Sequence, residues 1–126
     1  MDASGDIGQA NYDKMKTFVS DTVGGLDVGG NTQVGVVTYD RRIRDTINLN
    51  EYSSVTALQS DILGFRYRGG TPTNTHNALS YVRRLILATR NGDRSNIPNV
   101  VVLVTHEDPS FPTEVSVKYR FDRQMR

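Results

Sequence analysis

Apolar residues recur at helical spacing in three stretches of the chain. Residues 11–23 form the first predicted helix, with Asn11 as its N-cap and Gly24-Gly25 as its stop. The second runs from a serine cap at Ser53 or Ser54 to about Gly64, and the third spans residues 75–89. The inward faces comprise Met15, Phe18, Val19 and Val23; Val55, Leu58 and Ile62; and Ala78, Val82, Leu85 and Ile86.

Three other stretches predict strands. Residues 33–39 form an apolar run, and residues 43–49 alternate between apolar and polar positions after a short turn at Asp40-Arg41. This alternation is typical of an antiparallel or edge strand. Residues 99–105 form an uninterrupted β-branched run, which predicts a central parallel strand covered on both faces. Helices and strands in this order indicate an α/β fold, a Rossmann-like three-layer sandwich.

Composition removes several classes of protein. The 126 residues carry 15 Lys and Arg against 14 Asp and Glu, and this balance disfavours nucleic acid as the main partner. The chain has no cysteine, so disulfides and thiolate metal sites are excluded. No apolar run is long enough to insert into a membrane. Met1 is followed at once by an acidic residue instead of a signal peptide, so this chain is expected to stay where it is made.

Oxygen-rich loops follow or precede these elements at three places: residues 2–8, 69–75 and 105–108. In the predicted layout all three lie at strand ends, where open α/β sheets bind their ligands. Hydroxyls and carboxylates are the donors that Mg²⁺, Mn²⁺ and Ca²⁺ prefer. The loops therefore predict a shared divalent-cation site.

The same loops carry a family resemblance. The segment DASGDIG resembles a DxSxS motif, GGTPTNT resembles a threonine loop, and NVVVLVTHED resembles a strand that normally ends in Thr-Asp-Gly. Together with YDKMKTFV, QVGVVTYD and LNEYSS, these segments make residues 2–105 similar to a von Willebrand factor type A domain, especially the collagen VI and other matrix-protein members. The resemblance implies a non-enzymatic adhesion module with a metal-ion-dependent adhesion site (MIDAS).

The resemblance also implies roles for individual residues. Ser4 and Thr71 would be direct hydroxyl ligands of one divalent ion, and Asp2 would hold the ion through water. Gly70, Thr71 and Pro72 would contact the partner, whose Glu or Asp side chain completes the metal's coordination. The implied partner is a matrix or cell-surface protein, including a collagen-like one, and the implied location is extracellular.

Two residues depart from the family pattern and make the site degenerate. Asp6 stands where a second serine belongs, and a carboxylate there would weaken the ion's attraction for a partner's acid. His106 stands where a water-bridging aspartate belongs; neutral histidine is a poor partner for Mg²⁺, and protonated histidine would repel it. Glu107 and Asp108 are the available substitutes if the loop shifts.

The likeness also indicates an incomplete domain. Residues 1–108 correspond to a partial domain in which only Met1 remains of the first central strand, and later helix–strand units are missing. Residues 109–126 form a separate tail, and residues 114–121 alternate as a strand does. Either the last strand pairs directly with residues 33–39, or a partner supplies the missing strand, or the chain folds poorly. Exposed sheet edges would also permit self-association.

Two other functions stay open at this point. One is a metal-independent protein contact, which is expected if the altered cation site is inactive. The other is a small hydrolase that uses Ser4 and His106, although the chain lacks a G-x-S-x-G nucleophile elbow.

Overall fold

The structure is a computed structural model that describes residues 1–105 and 116–121. In chain order its elements are α1 (Gln9–Gly24), β1 (Val36–Tyr39), β2 (Ile43–Ile47), α2 (Val55–Leu63), α3 (Thr75–Tyr81), a π-helical turn (Val82–Ile86), a 3₁₀ turn (Thr89–Asn91), β3 (Val100–Thr105) and β4 (Ser116–Phe121). Among these described residues, no helix has the length and apolar character needed to cross a bilayer.

Helix α1 forms where the apolar spacing predicts it but begins earlier. Gly8, at φ 80°, is the residue before its first turn, so the prediction of Asn11 as the N-cap is wrong. Asn11 instead lies inside the helix, where its side-chain amide donates to the Ile7 carbonyl at 3.0 Å. Phe18 was predicted to face inward, yet 42% of it is exposed. The helix is therefore buried through a narrower stripe than its sequence pattern suggests.

Helix α2 begins after the Ser54 cap, whose hydroxyl accepts the Ala57 amide at 3.3 Å. Leu58 and Ile62 are fully buried, as predicted. Gln59 joins this helix to α1, because its side-chain amide donates to the Ser20 carbonyl at 2.9 Å. The two helices thus pack as one unit that covers the strands.

The third helix is shorter than predicted. Regular α-helix ends at Tyr81, and the chain widens into a π-helical turn in which the Leu87 amide donates to the Val82 carbonyl at 2.9 Å. Asn91 then ends the segment, because its side-chain amide donates to the Leu85 carbonyl at 2.6 Å. The predicted end at Thr89 therefore gives way to a capped 3₁₀ turn.

The strands form two antiparallel pairs. The predicted hairpin is present: β1 pairs with β2 in a register that aligns Val36 with Ile47 and Tyr39 with Ile43. β3 pairs with β4 along its whole length, from Val100 with Phe121 to Thr105 with Ser116. The prediction that β3 is covered on both faces is wrong, since Val100 and Val102 are 51% and 44% exposed. Strand β4 lies within residues 114–121, where the sequence alternates.

Residues 1–3 lie between these two pairs and are called the strand remnant here. Asp2 pairs with Tyr39 of β1 in parallel, and the Ala3 amide donates to the Tyr39 carbonyl. On the other side the Asp2 amide donates to the Val104 carbonyl of β3 at 2.8 Å. Asp2 and Ala3 therefore take part in the sheet as well as Met1, the single residue that the sequence assigned to it, and β3 does not pair directly with β1 in the described residues.

The hydrophobic core surrounds the strand remnant. Its buried residues come from the remnant, α1, the first hairpin, α2 and β3: Met1, Ala3, Ile7, Tyr12, Met15, Val23, Val28, Val36, Ile47, Leu58, Ile62, Phe65 and Val104. Helix α3 packs against β1 and β2. The result is a Rossmann-like α/β sandwich in which residues 1–3 lie between the two strand pairs.

Ser54→Ala should lower the free energy of unfolding by about 1 kcal/mol, because the Ala57 amide loses its side-chain acceptor at the start of α2. Chemical denaturation monitored by circular dichroism would measure the loss. Ser53→Ala is the matched control, because Ser53 is also exposed and lies one residue before the cap. The stability of this variant should stay at the wild-type value. Equal effects of the two changes would contradict the assignment of the cap.

Candidate functional site

Asp2 anchors the first loop to the end of β3. It is 1% exposed, and one carboxylate oxygen accepts the Ser4 amide at 2.9 Å. The other accepts the Thr105 hydroxyl at 2.7 Å. Two residues from distant parts of the chain are thereby held against one carboxylate, and each of its oxygens keeps a lone pair that can accept from water.

Ser4 carries a buried hydroxyl with no hydrogen-bond partner among the described residues. The residue is 1% exposed. A buried polar atom without a partner costs roughly 1–3 kcal/mol, so such atoms are rare unless they have another role. Binding a cation would give this oxygen the partner that the described residues do not supply.

The threonine loop lies directly against the first loop. The Gly5 amide donates to the Gly70 carbonyl at 3.2 Å. A Cβ atom on Gly5 would come within 2.8 Å of the Gly69 carbonyl oxygen and 2.9 Å of the Thr71 methyl group, so only glycine allows this approach. Thr71 itself is exposed. The structure thus brings the Ser4 and Thr71 segments together, one covered by protein and the other open to solvent.

Asp40, at the end of β1, holds the threonine loop in place. Its carboxylate is fully buried and accepts the Gly70 amide at 2.9 Å, the Arg42 amide at 3.1 Å and the Arg44 guanidinium at 2.8 Å. Burial by itself would raise the Asp40 pKa, but these hydrogen bonds, with Arg44 foremost, hold it below the ordinary value. Asp40 also accepts the Asn74 amide through its own carbonyl at 2.9 Å.

Tyr67 fixes the other side of the first loop. Its hydroxyl donates to the Ser4 carbonyl at 2.7 Å and accepts the Gly8 amide at 3.0 Å. Its ring lies 5.2 Å from that of Tyr12 on α1, measured between centroids. The loop that carries Asp2 and Ser4 is therefore held at both ends, by buried hydrogen bonds at Asp2 and by partly buried ones at Tyr67.

Sequence reasoning did not find Asp40 and Tyr67. Asp40 was assigned only to a turn, although it ends the family-like segment QVGVVTYD at the carboxyl end of a predicted strand. That position in an α/β sheet was a usable signal. Tyr67 lies between α2 and the glycine loop with no motif around it, so its role follows from the structure alone.

The remaining predicted ligands are Asp6, His106 and Asp108. Asp6 is exposed and lies in the turn before α1. His106 and Asp108, together with Glu107, lie outside the described residues. Within the described part of the chain, no group of three or more His, Cys, Asp or Glu side chains could hold a metal. A cation here would therefore depend on hydroxyl oxygens as well as carboxylates.

The alternative hydrolase site gains no support from this geometry. The Ser4 hydroxyl is enclosed by protein, and no base accepts its proton among the described residues. A nucleophile needs both a base within hydrogen-bond reach and access to substrate.

The family follows from comparison with known proteins. The model of the von Willebrand factor type A domain matches residues 1–123. This chain belongs to that family.

Relatives of this von Willebrand A domain include von Willebrand factor of Rattus norvegicus, 31% identical over 106 residues that cover 83% of this chain and 25% of the relative. The collagen alpha-4(VI) chain of Mus musculus is 35% identical over 113 residues, covering 87% of this chain and 5% of the relative. Vitrin of Homo sapiens is 30% identical over 115 residues, covering 90% of this chain and 17% of the relative. The chain thus spans a quarter or less of the length of these relatives.

Solved structures agree with the fold. Crystal form 2 of proximal thread matrix protein 1 from the mussel byssus has a TM-score of 0.69 at 27% identity, covering 75% of this chain and 25% of that one. Another structure of that mussel protein, with a zinc-occupied MIDAS motif, also has a TM-score of 0.69 at 27% identity. It covers 76% of this chain and 26% of the mussel chain. Divalent-cation binding therefore occurs within the family, and members occur in matrix proteins.

Asp40→Asn should lower the free energy of unfolding by about 1–3 kcal/mol at neutral pH. The reason is that the Arg44 guanidinium loses the carboxylate with which it pairs. A carboxyl group with a depressed native pKa stabilises the fold fully above its unfolded pKa and loses this contribution as the pH falls through the native value. The difference in the free energy of unfolding between the wild type and Asp40→Asn should therefore persist at pH values above 3.8, the ordinary pKa, and shrink below that pH. Urea unfolding of both proteins between neutral and acidic pH would measure it.

Asp21→Asn provides the control, since Asp21 is exposed on α1. Its stability should follow that of the wild type at each pH. An Asp40→Asn protein as stable as the wild type at neutral pH would contradict the role given to Asp40.

Proposed function

We propose that this domain is a protein-binding module that captures an acidic side chain of its partner through a divalent cation. The observation that supports the proposal most directly is the buried Ser4 hydroxyl, which has no partner among the described residues. It lies two residues after Asp2 and next to Gly5, which abuts the threonine loop. Two oxygen-bearing loops, residues 2–8 and 69–75, would thus supply ligands to one ion.

The donor set suits a hard cation. Ser4 and Thr71 would ligate directly through their hydroxyls, and Asp2 would act through water because Ser4 and Thr105 already bind its two oxygens. Such oxygen ligands favour Mg²⁺ or Mn²⁺, with Ca²⁺ as a weaker fit. Neutral hydroxyl ligands leave the ion electron-poor, so it would attract an external carboxylate.

Solvent exposure indicates which side the partner would approach. Thr71 and Pro72 are exposed, whereas Ser4 and Asp2 are buried, so the threonine loop would form the open side of the site. Gly70 supports this surface through its hydrogen bond to Asp40. Asp6 is also exposed, and its carboxylate would reduce the ion's attraction for a partner's acid.

The relatives suggest where such a module would act. They include collagen VI chains and a mussel thread matrix protein, so we place this domain in the extracellular matrix or at a cell surface. Its partner would present a Glu or Asp on an accessible surface, as a collagen-like triple helix can. His106 and Asp108 would adjust the charge beside the ion.

Metal titration of Ser4→Ala tests the cation site. Millimolar Mg²⁺ or Mn²⁺ should raise the melting temperature of the wild type, since a ligand that binds only the native state stabilises it. Ser4→Ala should abolish this rise. Without metal the variant should be as stable as the wild type or slightly more stable, because the lost hydroxyl had no protein partner in the described residues.

Ser60→Ala is the matched control, because Ser60 is exposed on α2 away from the loops. It should keep the full response to metal. If neither ion shifts the wild-type melting temperature, the cation site is inactive and a metal-independent contact becomes the better proposal.

Capture of a carboxylate has its own test. In millimolar Mg²⁺, the chain should bind an immobilised triple-helical collagen peptide that contains Glu at least about tenfold more tightly than the same peptide with Gln, since only Glu can complete the coordination of the ion. Surface plasmon resonance would measure both affinities. Addition of EDTA should remove the difference. Equal binding of the two peptides would mean that no carboxylate is captured.

A further inference from the structure

Three arginines lie exposed beside the open side of the candidate site. Arg41 and Arg42 lie in the turn between β1 and β2, and Arg68 directly precedes the threonine loop. Within residues 1–105 and 116–121, none of the three forms an ion pair. We call Arg41, Arg42 and Arg68 the arginine rim. Guanidinium groups of this kind are available to the acidic side chains of a partner.

The Asp40 carboxylate brings the two segments of the arginine rim together. One of its oxygens accepts the Arg42 amide at 3.1 Å, and the other accepts the Gly70 amide at 2.9 Å. The turn between β1 and β2 and the start of the threonine loop are therefore bonded to the same group. Because Arg68 is two residues from Gly70, all three rim side chains leave the backbone near Thr71, the exposed ligand of the proposed ion.

Asp40 does not neutralise the rim, because Arg44 already pairs with it. The Arg44 guanidinium donates to the Asp40 carboxylate at 2.8 Å, and this carboxylate is buried whereas the rim side chains are exposed. The next acidic residue of the hairpin, Asp45, is partly buried, and its carboxylate accepts the Thr38 hydroxyl at 3.1 Å. The acidic side chains of the hairpin are therefore bonded within the fold, and the rim keeps its charge.

The exposed charge around the site is consequently positive. In the two loops, residues 2–8 and 69–75, Asp6 is the one exposed charged side chain, and the three arginines of the rim outnumber it. A bound divalent ion would add further positive charge. A partner with a single carboxylate would answer only the ion, whereas a cluster of carboxylates would also match the potential of the rim.

We propose that the arginine rim binds an acidic cluster of the partner polypeptide, next to the carboxylate that the ion captures; this inference rests on the cation-bridged function proposed above. Arginine suits the role, because its planar guanidinium can donate two hydrogen bonds to one carboxylate and stays charged. The partner segment therefore carries further Glu or Asp residues within a few positions of the captured one. A long sulfated glycan fits less well, since such polyanions favour an extensive basic face and this chain has a net charge of +1.

Two immobilised peptides of equal length test the proposal on the unmodified chain. One is Gly-Ser-Glu-Ser-Glu-Glu-Ser-Gly; in the other, Gln replaces both adjacent Glu residues, so that one Glu remains for the ion. In millimolar Mg²⁺ and low salt, surface plasmon resonance should show that the chain binds the first peptide at least about tenfold more tightly. This ratio of affinities should shrink as salt is added, because salt screens exposed charges. Equal affinities at low salt would overturn the proposal.

EDTA separates this inference from the proposed cation site. Removal of the ion should weaken the binding of both peptides, but the ratio of their affinities should persist, because the rim does not depend on the ion. Affinities that ignore EDTA while the ratio persists would contradict the cation site and support the rim. A ratio of about one, together with weaker binding in EDTA, would support the cation site and overturn the rim.

A pair of double variants locates the binding. Arg41→Glu/Arg42→Glu reverses two rim charges. Arg83→Glu/Arg84→Glu makes the same change at two adjacent exposed arginines in the π-helical turn, about 12 Å along the helix from the threonine loop at 1.5 Å per residue. The first variant should bring the ratio of affinities down to about one, whereas the second should keep the wild-type ratio. Equal losses in both variants would contradict the location.

Two further measurements keep the test decisive. Arg41→Gln/Arg42→Gln removes the two charges without reversing them, so its ratio should lie between those of the wild type and the Glu variant even if the Glu variant unfolds. A ratio at the wild-type value in the folded Gln variant would overturn the proposal. So would a heparin oligosaccharide that binds the wild type more tightly than the peptide with three Glu and loses this binding in the Gln variant, because the partner would then be a sulfated glycan.

Discussion

In the part of the chain that the structure describes, residues 1–3 join the two antiparallel strand pairs through backbone hydrogen bonds. Asp2 contacts β1 and β3 at once, through its pairing with Tyr39 and its hydrogen bond to Val104. The position of Asp2 in the sheet also places its carboxylate between Ser4 and Thr105. The same short segment therefore joins the fold and begins the candidate site.

Partly buried hydrogen bonds hold the two loops of the candidate site in place. Asp40 holds Gly70, and Tyr67 holds Ser4, so the two loops are fixed by groups that do not themselves belong to the proposed ligand set. The glycine contact between Gly5 and Thr71 leaves no room for a side chain. A rigid support of this kind places ligand atoms more reproducibly than loops alone would.

Much of this arrangement follows from local sequence rules. The cap of α2, the burial of Leu58 and Ile62, and the hairpin of β1 and β2 depend on neighbouring residues, so spacing and turn chemistry predict them. The family motifs also identified the loops that meet. The environment of β3 could not be predicted in this way: its apolar run is typical of a covered strand, but its exposure depends on what lies beside it. Tyr67 was missed for the same reason, since its partners are about 60 residues away in sequence.

The cation-bridged mechanism requires the Ser4 and Thr71 hydroxyls to converge on one ion. A crystal structure of the chain soaked in Mn²⁺, with anomalous diffraction to locate the metal, would show whether they do. We expect a single metal peak roughly 2–2.4 Å from both hydroxyl oxygens, with Asp2 one water molecule away. A peak elsewhere, or two hydroxyls too far apart to contact one ion, would contradict the cation-bridged mechanism while leaving the family assignment in place.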